Sequence, residues 1–559
     1  MSNTYDAIVI GSGISGGWAA KELAEKGLKV IMLERGRNIE HPGGYETANK
    51  HPWEFQHRGR LTVAQRDSHP VQIRDYPYSE YNESFWVNDL ENPYTETKRF
   101  DWYRGHHVGG RSLMWGRQSY RLSDLNFEEN AKQGIAIDWP IRYKDLAPWY
   151  DYVEKFAGIS GKDENFPHFP NSVFQPAMAL NCVEEDLRNK IKEKYKGLRL
   201  ITNARIANLT EDLPGRTKCQ YRNLCSRGCP FGAYFSTQSS TLPAAMATGN
   251  LTLRPFSIVN SIIYDKDKKR ATGVRIIDAE TNETIEFYSK IIFVNASTLG
   301  TAFILLNSVS DTFPNGLGNS SGQLGHNLMD HHFRCGASGT PEGFDDKYYS
   351  GRRPSGGVFI PRYRNIGNDK RDYLRGFGYQ GGASRGNWKR HIAEFGIGGS
   401  FKDELSKPGP WSMGLGGFGE MLPYYENKVT IDNSKKDKWG QAVLNIDCEF
   451  KENEKKMRVD MMNDAAEMLE AAGLKDVHTY DGGSFPGMAI HEMGIARMGN
   501  DPKTSVLNKW NQMHDVPNVF VTDGSCMTSS ASQNPSLTYM ALTARACDYA
   551  VKELKKVNI

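Results

Sequence analysis

The chain has 559 residues, 39% hydrophobic, 24% charged and 11% aromatic, a globular composition long enough for two or more domains. A net charge of +3 over this length, with no long basic run, gives no case for nucleic-acid binding. The longest apolar stretches are strand-sized, which excludes a membrane-spanning helix.

The first element predicted is a strand from Tyr5 to Ile10, which runs into Gly11-Ser12-Gly13-Ile14-Ser15-Gly16. A helix is expected over residues 15–26, then a second strand, Val30-Ile31-Met32-Leu33, ending at Glu34. This is a strand–turn–helix–strand unit for a dinucleotide. Gly11 permits the tight turn, Gly13 the approach of a pyrophosphate, and Gly16 close packing of helix on strand. The helix N-terminus offers partial positive charge to the phosphates, and Glu34 is spaced to accept hydrogen bonds from a ribose. The unit begins at residue 5, so no signal peptide is expected. That favours the cytoplasm unless a partner carries the chain across a membrane.

Residues 37–103 are polar and rich in aromatics such as Trp53, Tyr76, Phe85 and Trp86, with weak periodicity, as in a long loop pinned to a core or covering a site. Arg104 then leads into Gly109 and Gly110, which imply close backbone approach, followed by Ser112, Met114 and Trp115. A helix is expected over 145–158, and short strands at 251–253, 257–264, 271–277, 284–288 and 290–294. Residues 332–426 suggest antiparallel strands with long loops. A helix at 455–472 carries Met457, Met461, Met462, Met468 and Leu469 at helical spacing, a stripe read as core packing.

Eight cysteines do not make a disulfide framework in so long a chain. Cys182, Cys335, Cys448, Cys526 and Cys547 are expected to be small buried residues. Cys219, Cys225 and Cys229 share one loop and precede Pro230, as in many iron–sulfur loops, although three reduced thiols in a turn also satisfy the pattern. Zinc would need a fourth ligand, which the loop does not supply. Near the C-terminus stand His491, a strand from Val519, Asp523-Gly524, and Asn534-Pro535-Ser536 opening a last helix, where Asn534 reads as an N-cap.

Five blocks in order resemble the glucose–methanol–choline (GMC) family of FAD-dependent oxidoreductases. They are the opening fingerprint, the Gly109-Gly110 segment, Asn295-Ala296-Ser297-Thr298-Leu299-Gly300, Leu324 to His331, and the block holding His491, Asp523 and Asn534. The resemblance covers nearly the whole chain. It implies an α/β fold in which a Rossmann-like FAD-binding domain is interleaved with a substrate domain on an antiparallel sheet. The expected FAD-binding pieces are 1–130, 205–331 with the cysteine loop, and 481–559, and the substrate-domain pieces are 131–204 and 332–480. It implies FAD contacts at Gly11, Gly13, Gly16, Glu34, Arg104, Gly109, Gly110, Ser112, Met114, Trp115, Val259, Ala296, Asp523, Gly524, Pro535 and Ser536. Met114 stands where some members tether the flavin through histidine, so non-covalent FAD is expected.

Carried over in the same way, His491 is the catalytic base and Asn534 the residue that holds the substrate oxygen. A neutral imidazole suits proton abstraction near neutral pH, and an amide cannot compete for the proton. Arg117, Gln118 and Gln533 adjoin flavin-contacting segments and are candidates for contacting sugar hydroxyls. The cysteine spacing resembles the flavoprotein subunits of bacterial sugar dehydrogenases, among them FAD glucose, fructose and gluconate dehydrogenases and glucoside 3-dehydrogenases. That likeness implies a three-iron, four-sulfur cluster on Cys219, Cys225 and Cys229. It also implies a sugar or glycoside substrate, oxidised at the 3-hydroxyl as first choice, a small partner subunit and a cytochrome acceptor. Periplasmic export would then be carried by the partner.

Overall fold

A computed structural model describes residues 3–347, 356–386 and 398–559. The expected 332–480 piece therefore contains two stretches, 348–355 and 387–397, that lie outside the described residues.

The labelled strands are β1 (Thr4–Ile10), β2 (Val30–Leu33), β3 (Leu251–Arg254), β4 (Ser257–Asp265), β5 (Arg270–Asp278), β6 (Thr284–Val294), β7 (Cys335–Thr340), β8 (Val358–Ile360), β9 (Phe377–Arg385), β10 (Trp411–Gly419), β11 (Lys475–Asp481) and β12 (Val519–Val521). The labelled helices are α1 (Ile14–Glu25), α2 (Thr298–Asn307), α3 (Glu452–Ala471) and α4 (Ser536–Lys555). In the first sheet the order is β3-β2-β1-β6-β5-β4, and β12 also pairs with β6. The neighbours β3, β2, β1, β6 and β12 run parallel, whereas β6, β5 and β4 form an antiparallel meander.

The apolar run of β1 serves both faces of a covered sheet. Ala7 and Val9 pack with Ala19, Ala20 and Leu23 of α1 and with Ala546 and Ala550 of α4. Ile8 and Ile10 enter the large core on the other face with Ile31, Leu33, Val294 and Leu299. Burial on both faces is why this strand reads as continuous rather than alternating.

The second sheet is antiparallel in the order β11-β7-β10-β9-β8, with a short edge at Thr202–Asn203. Met457, Met461, Met468 and Leu469 of α3 are buried against its face with Met413, Leu415 and Tyr379, so the methionine stripe is core packing. A hairpin, Lys428–Lys436 with Ala442–Asp447, pairs with Thr95–Glu96 of the long loop. In that loop Tyr78, Phe85, Trp86 and Tyr103 form their own cluster with Met114 and Met488, while Trp53 and Tyr76 stay exposed.

Three expectations need correction. The strands expected at 284–288 and 290–294 are one strand, β6, whose first half pairs antiparallel with β5 and whose second half pairs parallel with β1 and β12. Cys182 is half-buried, whereas Cys335, Cys448, Cys526 and Cys547 are buried as expected. Asn534 does not cap α4: the cap position is Pro535, and no side chain accepts a capping hydrogen bond there. The Asn534 amide is drawn away by partners described below.

Candidate active site

A cavity of about 530 Å³ runs from the turn after β1 to the segment before α4, and both sheets contribute to its wall. At one end the three glycines of the fingerprint have distinct surroundings. A Cβ on Gly11, where φ is +88°, would lie 2.4 Å from the Asn295 carbonyl oxygen, and one on Gly16 would lie 1.9 Å from that of Gly11. A Cβ on Gly13 would meet nothing within 4 Å. Gly11 and Gly16 are thus small because protein backbone abuts them, and Gly13 is small beside open cavity at the N-terminus of α1.

Glu34 is buried and accepts from Ser12 Oγ at 2.5 Å, Ser12 N at 3.2 Å and Gly36 N at 3.0 Å. Burial pushes its carboxyl above the usual range against those bonds. Ser12 Oγ also accepts from the Gly109 N–H at 2.9 Å, tying the fingerprint to the double-glycine segment. Ser112 Oγ accepts from Thr237 N at 3.0 Å, and Thr237 Oγ1 donates to the Gly13 carbonyl at 3.1 Å.

Of the expected FAD contacts, Gly11, Gly13, Glu34, Arg104, Gly110, Ser112, Met114, Trp115, Val259, Ala296, Asp523, Gly524 and Ser536 line the cavity. Gly16, Gly109 and Pro535 are not among the lining residues. The Arg104 guanidinium is already engaged by Asp89 Oδ1 at 3.1 Å and Asn92 O at 2.7 Å. Asp523 accepts from Thr301 Oγ1 at 2.6 Å and Ser525 N at 3.0 Å, and burial raises its pKa. The buried wall atoms without a protein partner include Asn295 Nδ2 and Tyr539 OH. Open space at Gly13, a helix N-terminus, a buried acid and these unpaired polar atoms suit a dinucleotide with phosphates and hydroxyls.

At the far end the structure brings His491 and Asn534 together, with Asn534 Nδ2 and His491 Nε2 3.4 Å apart. Asn534 Oδ1 accepts from Gln380 Nε2 on β9 at 2.6 Å, which is why Asn534 is no helix cap. His491 Nδ1 lies 2.8 Å from His331 Nδ1, and its backbone N–H donates to Asp330 Oδ1 at 3.1 Å. Asp330 also accepts from Gly487 N and Ala489 N, so one carboxyl pins the segment leading to the histidine. Burial, helped by His331 and the Arg111 cation, pulls the His491 pKa well below that of a free histidine. Arg111 is held by the neighbouring Glu492 through bonds of 2.9 and 2.8 Å.

Arg117 and Gln118 reach the cavity wall, whereas Gln533 turns away toward Asn126 Oδ1 at 3.4 Å. Sequence reasoning missed Gln380, Asp330 and His331 as site residues. The last two stand inside the Leu324-to-His331 block and were legible as neighbours of a motif, but nothing marks Gln380 within its glycine-rich strand.

Cys219, Cys225 and Cys229 share a loop in which all three are partly accessible and free, and Cys219 Sγ accepts from Tyr221 N at 3.4 Å. Among the described residues no group of three or more His, Cys, Asp or Glu is arranged to hold a metal ion.

GMC oxidoreductase family patterns match residues 5–333 and 423–543, the first more than half of the chain. The chain is 30% identical to the 2-methyl-1,2-propanediol dehydrogenase of Mycolicibacterium austroafricanum, over 99% of this chain and 96% of that protein. It is 24% identical to the fructose dehydrogenase large subunit of Gluconobacter japonicus, over 100% of both. It is also 24% identical to the gluconate 2-dehydrogenase flavoprotein of Pantoea cypripedii, over 96% of this chain and 92% of that one. The crystal structure of pyridoxine 4-oxidase from Mesorbium loti superimposes with a TM-score of 0.56 at 15% identity, covering 98% of this chain and 99% of that one, a likeness of fold. With its fingerprint, interleaved sheets and paired His491 and Asn534, the chain belongs to the GMC oxidoreductases, a family of FAD-binding enzymes that act on CH–OH groups.

Proposed function

We propose that the protein is an FAD-dependent dehydrogenase that oxidises a ring hydroxyl of a pyranose sugar or glycoside, the 3-hydroxyl to a 3-keto product being the first choice. One observation carries this reading: the His491 ring nitrogen and the Asn534 amide meet in a cavity whose wall mixes polar Arg117, Gln118 and Gln380 with aromatic Trp115, Phe333 and Phe418. Such a wall offers hydrogen bonds to hydroxyls and flat apolar surface to a sugar ring. Relatives named for fructose and gluconate support the substrate class.

In this reading the Asn534 amide holds the substrate oxygen, and the hydroxyl proton passes to His491 Nε2 as the C–O bond becomes C=O. The carbinol C–H bond breaks with both its electrons. When bound, FAD supplies the acceptor for that hydride. Asp330 and His331 hold the imidazole in place throughout, and Arg111, kept by Glu492, adds positive charge beside it.

FAD is held without a covalent link. Met114 has no nucleophile for one, His106 lies among Arg35, Arg104 and Lys438, and His107 Nδ1 bonds the Val108 carbonyl at 3.0 Å. Electrons leave to an acceptor other than oxygen, and the printed name of the fructose relative, a large subunit, supports a partner subunit for this chain. A cytochrome acceptor and periplasmic location by way of that partner belong to the same proposal. An iron–sulfur relay at Cys219, Cys225 and Cys229 is supported by cysteine spacing. Iron and acid-labile sulfide analysis with electron paramagnetic resonance decides it.

The test of the main reading is anaerobic reduction of the bound flavin by a panel of free sugars, methyl glycosides and small diols. Reduction by methyl glycosides is expected. Reduction by free aldoses alone removes the 3-keto proposal, and reduction by small diols alone removes the sugar. Fast peroxide formation in air, against slow turnover with a quinone, removes the dehydrogenase.

A further inference from the structure

Behind His491 lies a second histidine that cannot reach a substrate. His331 is fully buried and stands edge-on to His491, with ring centroids 4.9 Å apart and planes at 85°. Each of its ring nitrogens takes part in a hydrogen bond: Nε2 with the Ala531 carbonyl oxygen at 2.6 Å, and Nδ1 with His491 Nδ1 at 2.8 Å.

A carbonyl oxygen only accepts, so His331 Nε2 carries a proton. Burial holds His331 down to about 4 and His491 well below the usual histidine range, so both rings are neutral at neutral pH. A neutral imidazole has one N–H. His331 Nδ1 is therefore a bare lone pair, and the contact with His491 Nδ1 needs the proton to sit on His491. That leaves His491 Nε2 as a lone pair facing Asn534. Asn534 must turn its NH2 toward it, which leaves Oδ1 for the Gln380 amide, the arrangement found. The direction of every hydrogen bond from Ala531 to Gln380 thus follows from one backbone carbonyl.

We infer that His331 is a positioning residue that locks His491 in the Nδ1–H tautomer, so that Nε2 stays unprotonated and can receive the proton of a substrate hydroxyl that takes the place of the long 3.4 Å contact with Asn534. This rests on the reading of His491 as the base. In the other tautomer a proton on Nε2 would block that transfer, and two lone pairs would face each other across 2.8 Å. The arrangement is also set for the moment after transfer. The imidazolium then formed donates its Nδ1–H to an acceptor already in place, and the His331–Ala531 bond keeps that acceptor oriented.

The test uses the FAD-loaded enzyme with His331→Leu, His331→Asn and His491→Ala. Asparagine retains an oxygen able to accept the His491 Nδ1–H, and leucine retains none. The limiting rate of anaerobic flavin reduction is expected to fall at least ~10-fold in His331→Leu and to stay within about threefold in His331→Asn, with substrate affinity and flavin content unchanged in both. In protein labelled with 15N-histidine, the His491 Nε2 signal should be of the unprotonated type in the wild type and in His331→Asn, and of the protonated type in His331→Leu. A wild-type rate in His331→Leu, equal slowing of both variants, or a protonated Nε2 in the wild type overturns the inference. The wild-type spectrum decides even where a variant fails to fold. His491→Ala separates the two layers: an unchanged rate there removes the base itself, whereas a large loss there with no effect of His331→Leu removes only the positioning role.

Discussion

Alanine at Gly13 and at Gly16 should separate holding the cofactor from holding the fold. Gly13 is the N-cap of α1 with φ −63° and ψ −162°, a backbone that alanine adopts freely, and its Cβ would enter open cavity. Alanine at an N-cap costs a few tenths to about 1 kcal/mol against glycine, and the stiffer unfolded chain returns about 0.4–1 kcal/mol. The apoprotein should therefore unfold at nearly the wild-type urea concentration. The same methyl would occupy the space open to a pyrophosphate, and overpacking of about 1–3 kcal/mol weakens FAD binding roughly 5- to 150-fold. At Gly16 the new Cβ would stand 1.9 Å from one backbone oxygen and 2.8 Å from its carbon, which no side-chain rotation relieves. There the apoprotein itself should lose about 1–3 kcal/mol or more. Titrating apoprotein with FAD by fluorescence, beside urea unfolding of the same samples, reads both quantities. Wild-type FAD affinity in Gly13→Ala, or equal destabilisation of the two apoproteins, would refute the assignment of Gly13 to the cofactor and Gly16 to the fold.

Other outcomes follow from the same geometry. The His491 pKa lies well below 6.5, so its base form persists on acidification. The limiting rate of flavin reduction should stay level down through pH 6.5 and fall only at lower pH, and an acid limb centred at 6.5 would contradict the burial argument. Asn534→Ala should slow flavin reduction by ~10²-fold through loss of an oriented donor, and Gln380→Ala by roughly tenfold through loss of the group that holds Asn534; single-turnover reduction compares them, and a slower Gln380 variant reverses the order. Glu129 on the helix Asp124–Gln133 receives Arg362 at 2.7 and 2.8 Å, and Arg375 lies 3.4 Å from it, all three side chains at most 5% exposed. Glu129→Ala should cost about 3 kcal/mol by leaving two buried cations to a distant Glu420, and an unchanged urea midpoint would show that they find other compensation.

Much of the fold was legible where local chemistry leaves one reading. The fingerprint marks itself because each of its glycines meets a different steric demand, and α3 marks itself by methionines at helical spacing. β6 was divided because its environment changes midway. Its first half lies in a half-exposed meander and reads polar, and its second half is covered on both faces and reads apolar. Asn534-Pro535 has the local look of a helix start, and only tertiary partners, Gln380 and His491, claim the asparagine. His491 and Asn534 were read as a pair through likeness to a family, since a separation of 43 positions carries no local sign of contact. Gln380 was invisible because its role depends on how one sheet is set against the other.

The pairing of β1 with β6 and of β6 with β12 also sets a timetable for synthesis. Ala7 finds its neighbour at Ile291, and Phe293 finds Phe520. At roughly 5–20 residues per second the first strand, paired early with β2, waits on the order of tens of seconds for its second parallel partner, β6, which waits again for β12. During that interval the apolar edge of the nascent N-terminal unit is uncovered, a liability for aggregation that a ribosome-bound chaperone would relieve. Parallel pairing across such separations is intrinsically slow to form. The flavin pocket, closed by α4 and the segment before it, is consequently completed only after translation is nearly finished, so cofactor loading is a late step of maturation.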